Sequence, residues 1–340
     1  MTVAAEQAAA RAPEPEGKGA GERWIDPSEN VLPQLLDWRR RGLRTALATL
    51  VAIDGSFPRA LGAQMAIAED GSAAGYISGG CLEGALIAEA RNAMHERKNR
   101  LVRYGKGSKY FDIVLPCGSG VDVYFDTSLP STLIAGILTE LTARRPAVLK
   151  THLADGGSAL VTCDPAGGEL LRTERRDNVF ARAYWPGLRL VIAGAGPSVT
   201  ILARLARTAG MQVEILTPEA GLIEKVARHG FSARRLASGC EPALKLDAWT
   251  AGVLLFHDHG WELPLLPVFL ESEGFYLGAV GGGGAREARQ RALARMGADA
   301  AAATMLRTPA GMIPHAKQPA ELAVSILAEI VAAAKEKRAE

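Results

Sequence analysis

Cysteine is scarce in this chain and never clustered. Cys81, Cys117, Cys163 and Cys240 are the only four in 340 residues, and no two have CxxC spacing. That argues against a disulfide framework in a protein of this size and for reduced thiols in a cytosolic one. Charge of one sign is also lacking. A net charge of +2 argues against a dedicated nucleic-acid surface, which needs clustered Lys and Arg, while leaving room for a local basic pocket that holds a small anion. No uncharged apolar run is long enough to span a membrane. The longest candidate, Leu322 to Ala334, is broken by Glu329 and reads as an amphipathic helix. The first residues, Met1 to roughly Gly21, lack the apolar centre of a secretory signal. Rich in Ala, Glu, Pro, Gly and Arg, they read as a disordered tail. A soluble cytoplasmic protein is the expectation. Internal repeats are absent too. What is present, 48% hydrophobic residues over 340 positions, suffices for two domains, each with its own core.

Pro27 to Arg41 has helical spacing through Val31, Leu32, Leu35, Leu36 and Trp38, and Gly42 stops it. Thr45 to Ile53 reads as a buried strand ending in the Asp54-Gly55-Ser56 turn. Ala63–Glu69 and Ala73–Ile77, joined at Asp70-Gly71, predict a hairpin. Cys81 to about Lys98 predicts a helix; Leu101–Tyr104, Phe111–Leu115 and Val121–Phe125 predict strands. From about Thr127 to Pro186 a connecting region carries one helix, Thr132 to Thr142, and two strands around Asp155-Gly156-Gly157.

The pattern changes at Leu188. Strand and helix then alternate: Leu188–Ala193, Ser198–Thr208, Met211–Leu216, Glu219–Arg228, then Gly252–Phe256, Phe275–Val280, a helix from Ala285 and a last one from Pro319. Alternation of this kind predicts a parallel sheet wrapped by helices. The fold class is therefore α/β, an N-terminal α/β domain followed by a C-terminal Rossmann-like parallel-sheet domain. The expected boundaries are a tail over 1–23, a domain over 24–127, a connecting segment over 128–186 and the Rossmann-like domain over 187–340.

Glycine-rich turns carry the chemistry. Gly194-Ala195-Gly196-Pro197-Ser198-Val199 lies between strand and helix, where backbone N–H groups can meet a phosphate. Val199 replaces a third glycine, however, and the second strand ends at Leu216-Thr217-Pro218 without the acid that binds ribose hydroxyls; Glu219 already begins the next helix. An NAD(P)-dependent oxidoreductase is thus the alternative reading, behind a Rossmann fold with another ligand or none. Ser78-Gly79-Gly80-Cys81-Leu82-Glu83 leads from a strand into a helix whose first turn holds a thiol. Backbone N–H groups there favour an anion, and the same field favours an anionic sulfur at Cys81. The competing reading is Cys81 as a small buried hydrophobe. Cys117-Gly118-Ser119-Gly120 is a second thiol in a glycine turn, or simply a tight hairpin. Arg59, in Gly55-Ser56-Phe57-Pro58-Arg59, is a candidate bidentate phosphate contact, unless it is an ordinary solvated loop arginine. His257-Asp258-His259 follows a strand at the edge where open α/β sheets bind ligands; without a third spaced ligand, metal binding there is the lesser reading. Gly281 to Gly284, before a helix bearing Arg286 and Arg289, form either an anion nest or an unoccupied loop.

Taken in order, these motifs resemble one family. Gly55-Ser56-Phe57-Pro58-Arg59 with Gly62 and Met65, Ser78-Gly79-Gly80-Cys81-Leu82-Glu83 and Cys117-Gly118 are similar to the N-terminal domain of the xanthine dehydrogenase accessory factor (XdhC/CoxI) family. The turn at Gly194 and Gly196, His257-Asp258, the strand FYLGAV, Pro309-Ala310-Gly311 and the ending from Pro319 to Ile330 are similar to its Rossmann domain. The stretch YFDIVLPCGSG and Gly311-Met312-Ile313-Pro314 resemble the branch serving aldehyde oxidoreductases. The sequence departs from the family pattern at Gly281-Gly282-Gly283, at Thr217 and at Phe57.

The resemblance implies a non-catalytic accessory factor and a set of residues that contact its cargo. Such a protein binds the molybdenum cofactor, in the closest branch as the cytosine dinucleotide, shields it, assists its sulfuration with a cysteine desulfurase, and inserts it into an apo-molybdoenzyme of the xanthine dehydrogenase/aldehyde oxidoreductase class. It also implies a homodimer. The cofactor would sit in the cleft between domains, contacted by Arg59, Ser78, Gly79, Gly80, Cys81, Glu83, Cys117, Gly118, Gly194, Gly196, His257 and Asp258. Cys81 and Cys117 would face the molybdenum or sulfur end.

Overall fold

The computed structural model describes residues 30–108, 115, 118–162, 171–237, 244–295 and 306–338. The expected tail, the strand over 111–114, and Cys117, Cys163 and Cys240 lie outside the described residues. The chain divides into two units: 1–134 with 151–158 and 174–180, and 135–150 with 159–173 and 181–340.

The first unit is built on a five-stranded sheet. Its strands are β1 (Thr45–Asp54), β2 (Gln64–Ala68), β3 (Ala73–Gly75), β4 (Arg100–Gly105) and β5 (Gly120–Asp126), in the order β3-β2-β1-β5-β4. Every neighbouring pair is antiparallel. Two helices accompany it, α1 (Leu32–Arg40) and α2 (Glu83–Glu96). Ala46, Ala48 and Leu50 of β1 share one core with Leu82, Leu86, Ala90, Ala93 and Met94 beneath α2. Val51, where the β1–β5 register slips, packs instead with Tyr124, Leu153 and Phe180. Because both faces of β1 are covered, its sequence is an unbroken apolar run and not an alternating one.

The stretch expected to be a connector holds α3 (Ser131–Thr142), β6 (Ala147–His152), β7 (Ser158–Thr162), β8 (Glu174–Arg176) and β9 (Val179–Tyr184). The strands form their own sheet, β7-β6-β9-β8.

In the second unit, β10 (Arg189–Gly194), α4 (Pro197–Thr208), β11 (Gln212–Thr217), α5 (Ala220–Ala227), β12 (Ser232–Arg235), β13 (Thr250–Leu255), α6 (Leu266–Leu270), β14 (Tyr276–Ala279), α7 (Gly283–Arg295), β15 (Leu306–Arg307) and α8 (Pro319–Lys337) follow in turn. All six strands run parallel, in the order β12-β11-β10-β13-β14-β15. That is the 3-2-1-4-5-6 order of a Rossmann domain. Leu190 and Ile192 of β10 point into a core with residues of α4, α5 and α8. Val191 and Ala193 point to the other face, with Phe269 of α6 and Leu293 of α7. The expected α/β class and the Rossmann-like half are both present. Among the described residues, no helix is long and apolar enough to cross a membrane.

Candidate functional site

Strand direction places three of the sequence motifs at one end of the first sheet. Since β1, β2 and β3 alternate in direction, the β1–β2 loop (residues 55–63) and the β3–α2 loop (76–82) leave from the same edge, as does the β4–β5 loop (106–119). The GSFPR, SGGCLE and CGSG segments are these loops. Direct contacts join them. The Ser119 hydroxyl donates to the Ser56 carbonyl, and Arg59 Nη1 lies 3.3 Å from the Tyr76 hydroxyl, with its guanidinium 4.3 Å from the Tyr76 ring centre. Such stacking is favourable for a planar cation. Arg59 is half-buried, and its Nε is closed off from solvent with no hydrogen-bond partner among the described residues. Phe57 packs against the core of the unit, which accounts for an apolar side chain at that position.

The Ser78–Gly80 turn does hold an anion, but the anion comes from the chain itself. The buried Glu83 carboxylate accepts hydrogen bonds from the backbone N–H of Ile77 (3.1 Å), Ser78 (2.7 Å), Gly79 (3.1 Å) and Gly80 (2.7 Å), and from the Ser78 hydroxyl (2.5 Å). Ser78 Oγ in turn accepts from the N–H of Leu82 at 2.8 Å. Burial alone would raise the Glu83 pKa; the hydrogen bonds from Ser78 and Gly80 outweigh it and hold the carboxyl below its ordinary value. The expectation that these amides are open to an external phosphate is therefore corrected. Glu83 accepts from the N–H of Ser78 while the Ser78 hydroxyl accepts from the N–H of Leu82, over a five-residue spacing longer than that of a capping box, so no capping-box signal announces the pairing in the sequence.

Saturating the amides fixes what the turn presents. Gly79 and Gly80 take φ of +86° and +122°, and a Cβ on either would meet nothing within 4 Å. Backbone conformation therefore demands glycine here, and the space above the turn is open. Cys81 is a free thiol exposed to that space, contrary to the reading of a buried hydrophobe. Gly118 likewise has left-handed backbone, φ +67°, and open surroundings; Cys117 beside it lies outside the described residues.

In the Rossmann unit, Gly194 and Gly196 follow β10 and His257-Asp258 follow its neighbour β13, at the point where the strand order reverses. Gly194 is required by crowding: a Cβ there would lie 2.6 Å from Leu255 Cβ and 2.7 Å from the Leu255 carbonyl oxygen. Gly196 is required by its φ of +80°. The N–H of Gly196 donates to Glu219 Oε2 at 3.2 Å, so this turn too meets a carboxylate of its own chain. Thr217, at the tip of β11, is fully buried. His257 and Asp258 are exposed, and Asp258 Oδ1 accepts from the N–H of Gly260 at 2.9 Å. Among the described residues no group of three metal-ligating side chains forms. Arg289, expected to flank an anion nest, is buried instead in a bidentate pair with the buried Glu262, at 2.7 and 2.8 Å; its anion is already supplied.

Fold and site together define a two-part α/β protein. One part is an antiparallel unit whose loops leave from one sheet edge, one of them bearing an exposed thiol; the other is a Rossmann unit. Residues 38–105 match the XdhC and CoxI family and residues 190–330 match the XdhC Rossmann domain. Over 305 residues, 90% of this chain and 88% of the relative, the sequence is 33% identical to the molybdenum cofactor insertion chaperone PaoD of Escherichia coli (strain K12). A crystal structure described as a xanthine dehydrogenase from Bacillus halodurans superposes with a TM-score of 0.71, covering 90% of this chain and 96% of that one at 22% identity. That likeness is one of fold. The chain belongs to the XdhC/CoxI family.

Proposed function

We propose that this chain is a molybdenum cofactor insertion chaperone and not an enzyme. Working in the cytoplasm, it carries the cofactor as cargo, in its cytosine dinucleotide form, shields it, assists its sulfuration with a cysteine desulfurase, and delivers it to an apo-enzyme of the xanthine dehydrogenase/aldehyde oxidoreductase class. It works as a homodimer. The observation that carries the reading is the 33% identity with an insertion chaperone across nine-tenths of this chain.

The geometry supports it in two respects. A thiol held bare above open space suits the sulfur-bound molybdenum end of such a cargo, and Cys81 is so held. A phosphorylated cargo needs a cation, and the Arg59 guanidinium, stacked on Tyr76, stands among the same loops. In this reading Cys81 meets molybdenum or sulfur with Cys117 as the second thiol, and Arg59 and Gly118 line the approach. Ser78, Gly79, Gly80 and Glu83 shape the turn without touching phosphate. Gly194, Gly196, His257 and Asp258 contact the nucleotide end, for which Glu219 must release the N–H of Gly196.

The test is an insertion assay. A xanthine dehydrogenase-class apo-enzyme is co-expressed with the chain in cells that make the cofactor, and molybdenum bound to the purified enzyme is measured. Molybdenum loading should depend on the chain and fall sharply with Cys81→Ala. Equal loading with and without the chain overturns the proposal.

A further inference from the structure

The cargo reading uses one end of the first sheet, where β1 runs out into the GSFPR loop. A cavity of about 500 Å³ opens at the other end, among α1, the end of α2 and the turn from β5 into α3. The length of β1 separates the two, about 30 Å at 3.3 Å per residue. Arg39, Arg44 and Arg97 line the cavity together with the apolar side chains of Leu43, Met94 and Leu129. Three guanidinium groups around one hollow repel each other unless anions answer them.

Their charge is only partly answered. Arg44 pairs with Glu69 at 2.7 Å. Arg39 gives its donors to neutral groups: Nε to the Thr45 hydroxyl (2.8 Å), Nη1 to the Leu129 carbonyl (2.6 Å) and the Ser131 hydroxyl (3.1 Å). The acid that offsets it, Asp126, is buried and accepts from the N–H (2.9 Å) and hydroxyl (3.1 Å) of Ser128. Burial lowers the Arg39 pKa by more than Asp126 restores it. The Arg97 guanidinium has no partner among the described residues. Arg97 also holds the left-handed position that closes α2, φ +54°, where glycine is the usual residue. Two carboxylates thus face three guanidinium groups, and a positive surplus remains. The start of α3 adds to it. Helix N-termini favour anions, and the Ser131 hydroxyl, accepting from Arg39, keeps its own proton to donate.

Guanidinium groups bind phosphoryl oxygens through paired donors. The cavity is larger than a bare phosphate needs and falls in the size range of small-molecule sites, and its apolar lining suits an organic body. We infer that this pocket binds a small organic phosphate monoester, with Arg44, Arg97 and Ser131 on its phosphoryl group.

This goes beyond the chaperone reading: the pocket contains none of the proposed cargo contacts, and the measurement is made on the cofactor-free chain. Isothermal titration of the full chain with phenyl phosphate, inorganic phosphate and benzoate, at constant ionic strength, reads it. Phenyl phosphate should bind one-to-one with a dissociation constant of about 1 mM or tighter, inorganic phosphate more weakly, and benzoate about tenfold more weakly or worse. Arg97→Ala and Arg44→Ala should each weaken phenyl phosphate binding by about tenfold. Arg59→Ala, at the opposite end of the sheet, should leave it as it is. Arg44 and Arg97 are exposed, and unchanged circular dichroism of each variant confirms the fold. No saturable binding, benzoate or inorganic phosphate bound as tightly as phenyl phosphate, or a loss on Arg59→Ala with none on Arg97→Ala, overturns the inference.

Discussion

Glu83 shows how one side chain decides what a glycine turn offers. Its carboxylate accepts from the backbone N–H groups of all four residues 77–80, leaving Cys81 exposed beside the turn. Glu83→Gln keeps the shape but turns donors toward donors, and we expect it to cost about 2–4 kcal/mol in a urea or thermal melt. The pH dependence has a definite sign. The folded pKa of Glu83 is lowered, so its stabilisation is complete above the ordinary glutamate value of about 4.3 and is lost as pH falls through the lower folded value. The gap between wild type and variant should therefore be full at neutral pH and close on the acid side of about pH 4. A gap that is absent at pH 7, or that widens in acid, contradicts this role. The sequence made Cys81 and its glycines conspicuous because strand, glycine and helix signals are local. It did not make Glu83 conspicuous as the occupant of the turn, because a residue that looks like a helix-start acid reveals its reach-back only in three dimensions.

At the scale of elements, the Rossmann half was the most legible part. Its strands are apolar runs between helices with one polar face, and the expected Leu188–Ala193 and Met211–Leu216 fall within a residue of β10 and β11. What escaped notice has a physical cause. β12 is the polar run Ser-Ala-Arg-Arg, β15 has two residues and β8 has three; edge strands this short carry no hydrophobic periodicity, and pairing with a neighbour alone defines them. The two glycines after β10 differ in what they demand, and substitution separates them. Gly194→Ala forces a Cβ against the Leu255 backbone and should destabilise the protein by about 1–3 kcal/mol or more. Gly196→Ala meets open space and should cost only the left-handed backbone, about 1–2 kcal/mol. Equal melting temperatures for wild type and Gly194→Ala contradict the packing described for this turn.

For the molecule as a whole, each unit has its own sheet and core, and each bears a glycine turn engaged by a glutamate of the same chain. Family membership follows from matches in both units, and the proposed cargo follows from the kinship with an insertion chaperone. The central claim, that this chain carries the molybdenum cofactor with Cys81 at its sulfur-loving end, is tested most directly by what the protein holds when purified. Wild type and Cys81→Ser chains isolated from cells making the cofactor are denatured, and the released pterin is oxidised and quantified by fluorescence alongside protein-bound molybdenum. The account predicts pterin and molybdenum together on the wild type and a marked loss of both on an equally stable Cys81→Ser chain. A wild-type protein free of pterin, or a variant that retains as much as the wild type, would contradict it.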